Sequence, residues 1–200
     1  MNFARFAFTD GVKKIQEKYG SRDTCARMEN PMADKDGITG FEQLFIESRD
    51  SFYMASIGEN GYPYIQHRGG PAGFIKVIDS CTIGVVDFRG NKQYISVGNV
   101  MAHPQVSLFL MDYPRKTRLK IYADAHIVEP ADDPVLFNLV DPSGYKHKAE
   151  RMLIFDVKAF DWNCPQHITQ RYTVDEIKDA FAPQNEYVLK LEYEIVKLKK

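Results

Sequence analysis

The central part of the chain alternates apolar and polar residues with the period of two that is typical of β-strands. The longest such run, TRLKIYADAHIVE, begins at Thr117 and places apolar residues at every second position from Leu119 to Ile127. One apolar and one polar face predict a half-buried strand. Five other short runs are rich in β-branched and aromatic residues: SFYMASI, YPYIQH, TIGVVDF, VSLFLMDY and MLIFDVKAFDW.

These six runs predict a mainly β fold with α additions. Turn sequences such as ENG and RGN separate successive runs, which is the pattern of an antiparallel meander. A sheet that closes on itself has no exposed edges. We therefore expect a six-stranded antiparallel barrel, closed or nearly closed, with helices at both ends of the chain.

Helical signals precede the strands. Thr9 or Asp10 can cap a helix that ends near Gly20, and Thr39 with Glu42 forms a capping box for a second helix. The second helix is predicted to end near residue 49. Residues 21–37 lack periodicity and are predicted to form a loop.

Further helices are predicted within and after the strands. Proline positions indicate helical segments in YISVGNVMAHP and DDPVLFNLV. At the C-terminus we expect two helical segments, one capped by Thr173 and Glu176 and one with a heptad-like seam. A seam this short must pack on the barrel or on a second subunit. Its members are Val188, Leu191, Ile195 and Leu198.

Size and composition limit the function classes. A chain of 200 residues suits one domain, so we expect an extension at 1–38, a barrel at 39–172 and C-terminal helices at 173–200. The formal net charge of -1 gives no general attraction to nucleic acid or membranes. Three widely spaced cysteines and no long apolar run favour a cytoplasmic protein.

The stretch from Pro63 to Asn99 carries the candidate chemistry. It contains the Gly-rich turn of QHRGGPAG and a second polar turn, RGNKQ. Glycines permit close approach of a bound group, and guanidinium and ammonium groups match a phosphate. The stretch therefore predicts a site for a planar ligand that bears a phosphate. The cationic donors are Arg68, Lys76, Arg89 and Lys92.

Four blocks in fixed order resemble the pyridoxamine 5'-phosphate oxidase-like FMN-binding split-barrel family: PYIQHRGGPAGFIKVID, FRGNKQYISVGN, FLMDYPRKTRLKIYADAHIVE and WNCPQHITQRY. They are most similar to its branch of pyridoxamine 5'-phosphate oxidase-related proteins. The resemblance covers roughly residues 40 to 172. It implies a six-stranded split barrel, FMN at a homodimer interface, and redox chemistry of the flavin on a small-molecule substrate.

The resemblance also implies which residues contact the cofactor. Lys92 with Gln93 lies where the family usually has an Arg-Lys pair, and Arg118 lies where an oxidase glutamine reaches the flavin. Trp162 and Arg171 resemble the C-terminal pair that completes the site from the partner subunit. The complete predicted set is Gln66, His67, Arg68, Gly69, Lys76, Val86, Asp87, Asn91, Lys92, Gln93, Arg118, Trp162 and Arg171.

The chain departs from the oxidase pattern at two places. The GGPAG insertion leaves open whether Gln66 or Arg68 takes the role of the oxidase arginine. HITQR lacks the first arginine of the oxidase's substrate motif, so pyridoxal-phosphate synthesis is not indicated.

Several functional alternatives remain open at this level. His67 is expected to bind rather than to catalyse, and no catalytic residue is assigned. Cys164 and His167 have no second ligand pair, so no metal site is predicted. Residues 144–151 form either a lid or a solvated loop. The protein is a flavin oxidoreductase, a flavin sensor or carrier, or a barrel for haem or a deazaflavin.

Overall fold

The computed structural model describes residues 1–162 and 166–198, which form two compact units. The larger unit contains residues 1–111 and 118–162 and carries most of the sheet. The smaller unit contains residues 112–117 and 166–198 and carries a long helix. In the described part of the chain, no helix is long and apolar enough to cross a bilayer.

Over residues 1–162 and 166–198, the sheet has seven strands, one more than the six expected. The additional strand is β3, a five-residue segment directly after the Gly-rich turn, where the pattern was too short to be recognised. The mainly β class and the antiparallel pairing of neighbours are confirmed. The sheet order is β2-β1-β5-β6-β7-β4-β3. The strands are β1 Ser51–Ile57, β2 Pro63–Gly69, β3 Ile75–Asp79, β4 Thr82–Phe88, β5 Gln105–Asp112, β6 Thr117–Val128 and β7 Ala149–Trp162.

The helices predicted in the middle of the chain and the one predicted between Thr9 and Gly20 are confirmed, whereas the segment after Gly20 and the C-terminal helix differ from expectation. The capping box of Thr39 and Glu42 starts α4 as predicted. The segment 21–37 was wrongly predicted as loop, because α3 is short and buries none of its residues. The C-terminal helix is continuous rather than divided, with Pro183 in its interior. The helices are α1 Phe3–Ala7, α2 Asp10–Lys18, α3 Arg22–Met28, α4 Gly40–Glu47, α5 Ile95–Ala102, α6 Pro134–Val140 and α7 Val174–Leu198.

Large apolar side chains fill the interior that the curved sheet encloses. Phe52 lies between two other buried rings, 5.9 Å from Phe74 and 6.2 Å from Phe155 between centroids. The three come from β1, the turn before β3, and β7, so strands from distant parts of the sheet order meet in one core. This is the packed interior of a barrel.

The turn between β2 and β3 depends on two glycines. A side chain at Gly70 would lie 2.6 Å from the ring of Phe74, so only glycine lets that ring enter the core. Gly73 has a φ of 83°, a left-handed conformation that glycine adopts without strain. These glycines therefore serve packing and the turn, and their part in the approach of a ligand stays a prediction.

Candidate cofactor site

A cavity of about 360 Å³ lies between β2, the end of β4 and the loop that leads into α5. We call it the β2–β4 cavity. Its volume is in the range of small-molecule sites. It is lined by Tyr64, Gln66, His67, Arg68, Gly69, Phe74, Val85, Val86, Asp87, Phe88, Arg89, Gly90, Asn91, Lys92, Gln93, Tyr94, Ile95, Ser96, Val97, Tyr145 and Glu150.

Strand β2 presents alternate side chains to this cavity. Tyr64, Gln66 and Arg68 are half-buried, whereas the residues between them are exposed. Gln66 also fixes α5, because its Oε1 accepts a hydrogen bond of 2.5 Å from Ser96 Oγ. His67 is exposed and packs edge-on against Tyr53, and it also borders the cavity.

A buried carboxylate links β2 to β4 and β7. Arg68 Nη1 donates to Asp87 Oδ1 at 2.5 Å, and Arg151 Nη1 donates to Asp87 Oδ2 at 2.8 Å. The Arg68 side chain is only 12% exposed. Its Nε is buried and has no hydrogen-bond partner within the described residues. Asp87 therefore holds the guanidinium in place while one of its donors stays unsatisfied.

Arg151 is fixed as a cation by the same network. Burial alone would lower the pKa of Arg151, but the hydrogen bond and charge of Asp87, together with the charge of Glu150, raise it above its ordinary value. Its guanidinium also lies over the Tyr94 ring, 5.0 Å from the centroid. Tyr94 Oη in turn donates to Glu150 at 3.2 Å.

The loop from β4 to α5 supplies backbone donors and exposed cations. Lys92 and Tyr94 have positive φ values of 60° and 54°, which are uncommon for residues with a side chain. Tyr94 precedes α5 and makes no side-chain cap, so the first N–H groups of this eight-residue helix lack a side-chain acceptor. Lys92 and Arg89 are exposed beside it. Such a helix end next to cations favours an anion.

Comparison with known proteins gives the family. A family model described as pyridoxamine 5'-phosphate oxidase matches residues 39–160, more than half of the 200-residue chain. The chain belongs to this family. The resemblance seen in the sequence blocks is thereby confirmed. No curated protein sequence matches the chain at a significant level.

Three solved structures are similar to this pyridoxamine 5'-phosphate oxidase family member at low identity. A HupZ variant from Group A Streptococcus is 14% identical, covers 63% of this chain and 99% of its own, and has a TM-score of 0.50. A candidate pyridoxamine 5'-phosphate oxidase from Lactobacillus delbrueckii is 18% identical, with coverage of 64% and 96% and a TM-score of 0.48. An FMN-binding protein from Syntrophomonas wolfei is 12% identical, with coverage of 74% and 97% and a TM-score of 0.48.

The structure of this family member brings most of the predicted site residues together. Nine of them line the β2–β4 cavity: Gln66, His67, Arg68, Gly69, Val86, Asp87, Asn91, Lys92 and Gln93. Of the two residues between which the sequence left the role of the oxidase arginine open, Gln66 is hydrogen-bonded to α5, whereas Arg68 keeps an unsatisfied donor within the described residues. Val86 lines the cavity and is also buried in a second core cluster.

Four predicted residues do not line this cavity. Lys76 lies on β3 with its Nζ beside the Gly73 turn. Arg118 lies 6.0 Å from the centroid of the Phe109 ring, and its Nε is buried without a partner within the described residues. Arg171 belongs to the smaller unit, where its guanidinium lies over Tyr113.

Trp162, the fourth of these residues, is engaged in packing. Its Nε1 donates to Glu42 Oε1 at 3.0 Å, and its ring lies 4.7 Å from Phe45. Burial raises the pKa of Glu42, but hydrogen bonds from Thr39 and Trp162 outweigh burial and hold it below its ordinary value. Trp162 thus joins the end of β7 to the start of α4.

Sequence reasoning missed several lining residues. Tyr64 shares the face of Gln66 and Arg68, so the period of two along β2 would have identified it. Ser96, Tyr94 and Glu150 gave no comparable signal, because only the folded chain brings α5 and β7 to β2. Cys164, weighed above as a metal ligand, lies outside the described residues. Elsewhere in the described chain, no cluster of His, Cys, Asp or Glu is arranged to hold a metal ion.

Proposed function

We propose that this protein binds FMN in the β2–β4 cavity and acts as an FMN-dependent oxidoreductase. Family membership supports a flavin, and the observation that carries the proposal is the state of Arg68. A guanidinium that is buried, oriented by Asp87 and left with one unsatisfied donor is expected to bind an anionic group.

The residues around Arg68 fit the phosphate of FMN. The α5 N-terminus has no side-chain cap, and Lys92 and Arg89 line the same cavity. Backbone N–H groups, a helix dipole and cations together suit a doubly charged phosphate. Asn91 supports the loop, since its Oδ1 accepts from the Gln93 N–H at 3.1 Å.

Apolar side chains in the same cavity suit the isoalloxazine ring. Tyr64, Phe74, Val85 and Phe88 contribute to the lining, and planar ligands bind well in such mixed apolar and polar sites. Bound FMN would supply hydride or electron transfer. The residues of the chain bind and orient the cofactor and exclude water from one side of it.

We propose that the working form is a homodimer. The outer face of β1 and β2 exposes Tyr53, Ile57 and Ile65, and the strand register places Ile65 opposite Ala55, between Tyr53 and Ile57 along β1. Phe109 pairs with Tyr53 in the next strand and lies under the Arg118 guanidinium. An apolar face of this kind, next to an arginine with a buried free donor, supports a second copy as its partner and Arg118 as a cofactor contact.

We propose a small-molecule substrate that exchanges a hydride or electrons with bound FMN; where the substrate is reduced, a transiently bound reductant would supply the electrons to FMN. The chain has no GxGxxG segment that would hold a nicotinamide dinucleotide firmly. HITQR departs from the oxidase's substrate motif, so we do not propose pyridoxal-phosphate synthesis. The spacing of the cysteines supports a cytoplasmic location.

An absorption spectrum of the purified, untagged protein, recorded with its mass in solution, tests the cofactor. We expect the two bands of a flavin and the mass of a dimer. A single intense band near the violet edge of the spectrum would instead indicate that the bound cofactor is haem. A colourless protein that does not bind added FMN would overturn the proposal.

Turnover is tested separately on the flavin-loaded protein. If the protein is an oxidoreductase, NADH or NADPH bleaches the flavin bands under anaerobic conditions and air restores them. A flavin that stays oxidised with either nucleotide indicates a sensor or carrier instead.

A further inference from the structure

The continuous C-terminal helix carries an apolar seam along its whole length. Helix α7 spans 25 residues, and its seam positions recur at alternating intervals of three and four residues. This is the a/d spacing of a heptad, sustained for about three and a half heptads, and it is typical of a helix that pairs with another helix. The seam contains Val174, Ile177, Phe181, Gln184, Val188, Leu191, Ile195 and Leu198.

The seam is exposed, and Gln184 is its one polar position. Every residue of α7 is exposed, including Phe181 at 53% and Ile195 at 49%. Pro183 lacks a backbone N–H, but it occupies position c of the heptad, on the side away from the seam. Pro183 is therefore not itself one of the a/d positions.

We propose that α7 pairs in antiparallel orientation with α7 of a second copy of this chain. The seam is symmetric about its midpoint, so this pairing sets Val174 opposite Leu198 of the partner subunit and Phe181 opposite Leu191 of the partner subunit. Apolar residues then meet in three of the four kinds of layer, including Ile177 opposite Ile195 of the partner subunit. Gln184, the single polar position of the seam, lies opposite Val188 of the partner subunit.

Charges beside the seam favour this orientation. In the antiparallel pair each Lys178 lies next to Glu192 of the partner subunit, which gives two attractive contacts. The acidic first turn, Asp175 and Glu176, also lies near Lys197 in the partner's last turn. A parallel pair would instead place the two acidic first turns side by side, and it would align the two helix dipoles.

This inference uses only residues of α7 and is independent of FMN binding. Either proposal can fail without the other, because flavin content and helix pairing are measured by different signals.

Cysteine crosslinking tests both the partner and the orientation. The three native cysteines are first replaced by serine, and Asn185→Cys is compared with the control Glu186→Cys. Asn185 flanks the seam and faces Asn185 of the partner subunit only in the antiparallel pair, whereas Glu186 points away. With a short bis-maleimide, we expect crosslinked dimer as the main product of Asn185→Cys and only background for the control. Equal yields for the two variants would overturn the proposal.

Seam substitutions distinguish pairing from chance proximity. In the Asn185→Cys background, Leu191→Glu should abolish the crosslink. The control is Leu189→Glu, which changes the same residue type at a position off the seam and should preserve the crosslink. If Leu191→Glu lowers the melting temperature of the protein and leaves the crosslink intact, the seam packs within its own chain and the proposal is wrong.

Discussion

The β2–β4 cavity is bordered by two kinds of cation, and they differ in what holds them. Arg68 and Arg151 are mostly buried and share the Asp87 carboxylate. Arg89 and Lys92 are exposed on the loop that leads to α5. The first pair is fixed by that carboxylate, whereas we expect the exposed second pair to adapt to a ligand, although Arg89 already lies 4.0 Å from Glu150 in an ion pair. The cavity therefore combines a preorganised donor with adaptable ones.

The comparison also separates structural from binding roles. Arg68 lies on β2, at one edge of the sheet order. Through Asp87 it is joined to β4 and to Arg151 on β7, which lie near the other edge, so these contacts help to close the barrel. Ion pairs of this kind are costly to break, because the remaining charge is left buried. Exposed cations contribute less to stability, and salt screens their interactions.

The largest expected effect comes from removing the shared carboxylate. Asp87→Ala leaves Arg68 and Arg151 without their buried partner, so we expect the free energy of unfolding to fall by about 3–5 kcal/mol. Urea denaturation measures this. Asp87→Asn, which keeps an oxygen acceptor, should lose less of the free energy of unfolding. An Asp87→Ala variant as stable as the wild type would show that the network does not close the barrel.

The next effect concerns FMN binding by the buried cation Arg68. Arg68→Met should weaken FMN binding by roughly 10- to 100-fold, since hydrogen bonds to charged groups contribute about 1.5–3 kcal/mol. Arg68→Lys should bind FMN almost as weakly as Arg68→Met, because a lysine lacks the planar array of donors. Flavin fluorescence quenching gives the affinities. The matched control is Lys76→Met, a cation outside the cavity, and an equal loss there would contradict the assignment.

A smaller effect is expected from the exposed cation. Lys92→Met should weaken FMN binding by about fivefold, consistent with roughly 1 kcal/mol for an exposed charge pair. The loss should shrink as salt is added, because screening acts on exposed charges. Affinities at two ionic strengths measure it. If Lys92→Met weakens FMN binding more than Arg68→Met does at both ionic strengths, the distinction between fixed and adaptable cations is wrong.

The smallest effect tests a buried carboxylate away from the cavity. The pKa of Glu42 is held below its ordinary value of 4.5, so its contribution to stability is fully present above that pH. The contribution is lost as the pH falls through the lowered pKa. Glu42→Gln should therefore be less stable at neutral pH and lose less stability on acidification. Thermal melts between pH 3 and 7 compare the two proteins, and parallel curves would count against the hydrogen bonds of Glu42.

Local sequence signals predicted much of the fold. The capping box of Thr39 and Glu42 and the alternation along β6 each depend on neighbouring residues, and both are confirmed. Strand β3 and helix α3 were missed because a five-residue strand and a helix without an apolar face leave no periodic signal. The continuity of α7 was missed because Pro183 is normally a sign of a helix end.

The candidate site was predictable only where its residues are close in sequence. The stretch from Pro63 to Asn99 contains most of the cavity lining. The pairing of Asp87 with Arg151 joins residues 64 positions apart. The pairing of Trp162 with Glu42 joins residues 120 apart. Such contacts arise from strand order and helix packing, and no single segment of the chain encodes them.

The most direct test of the account compares FMN with riboflavin, which lacks the phosphate. Calorimetric titration of the purified protein should give one FMN per chain, bound far more tightly than riboflavin, and Arg68→Met should remove most of that difference. If riboflavin binds the wild-type protein as tightly as FMN does, the β2–β4 cavity is not a phosphate site and the account is wrong.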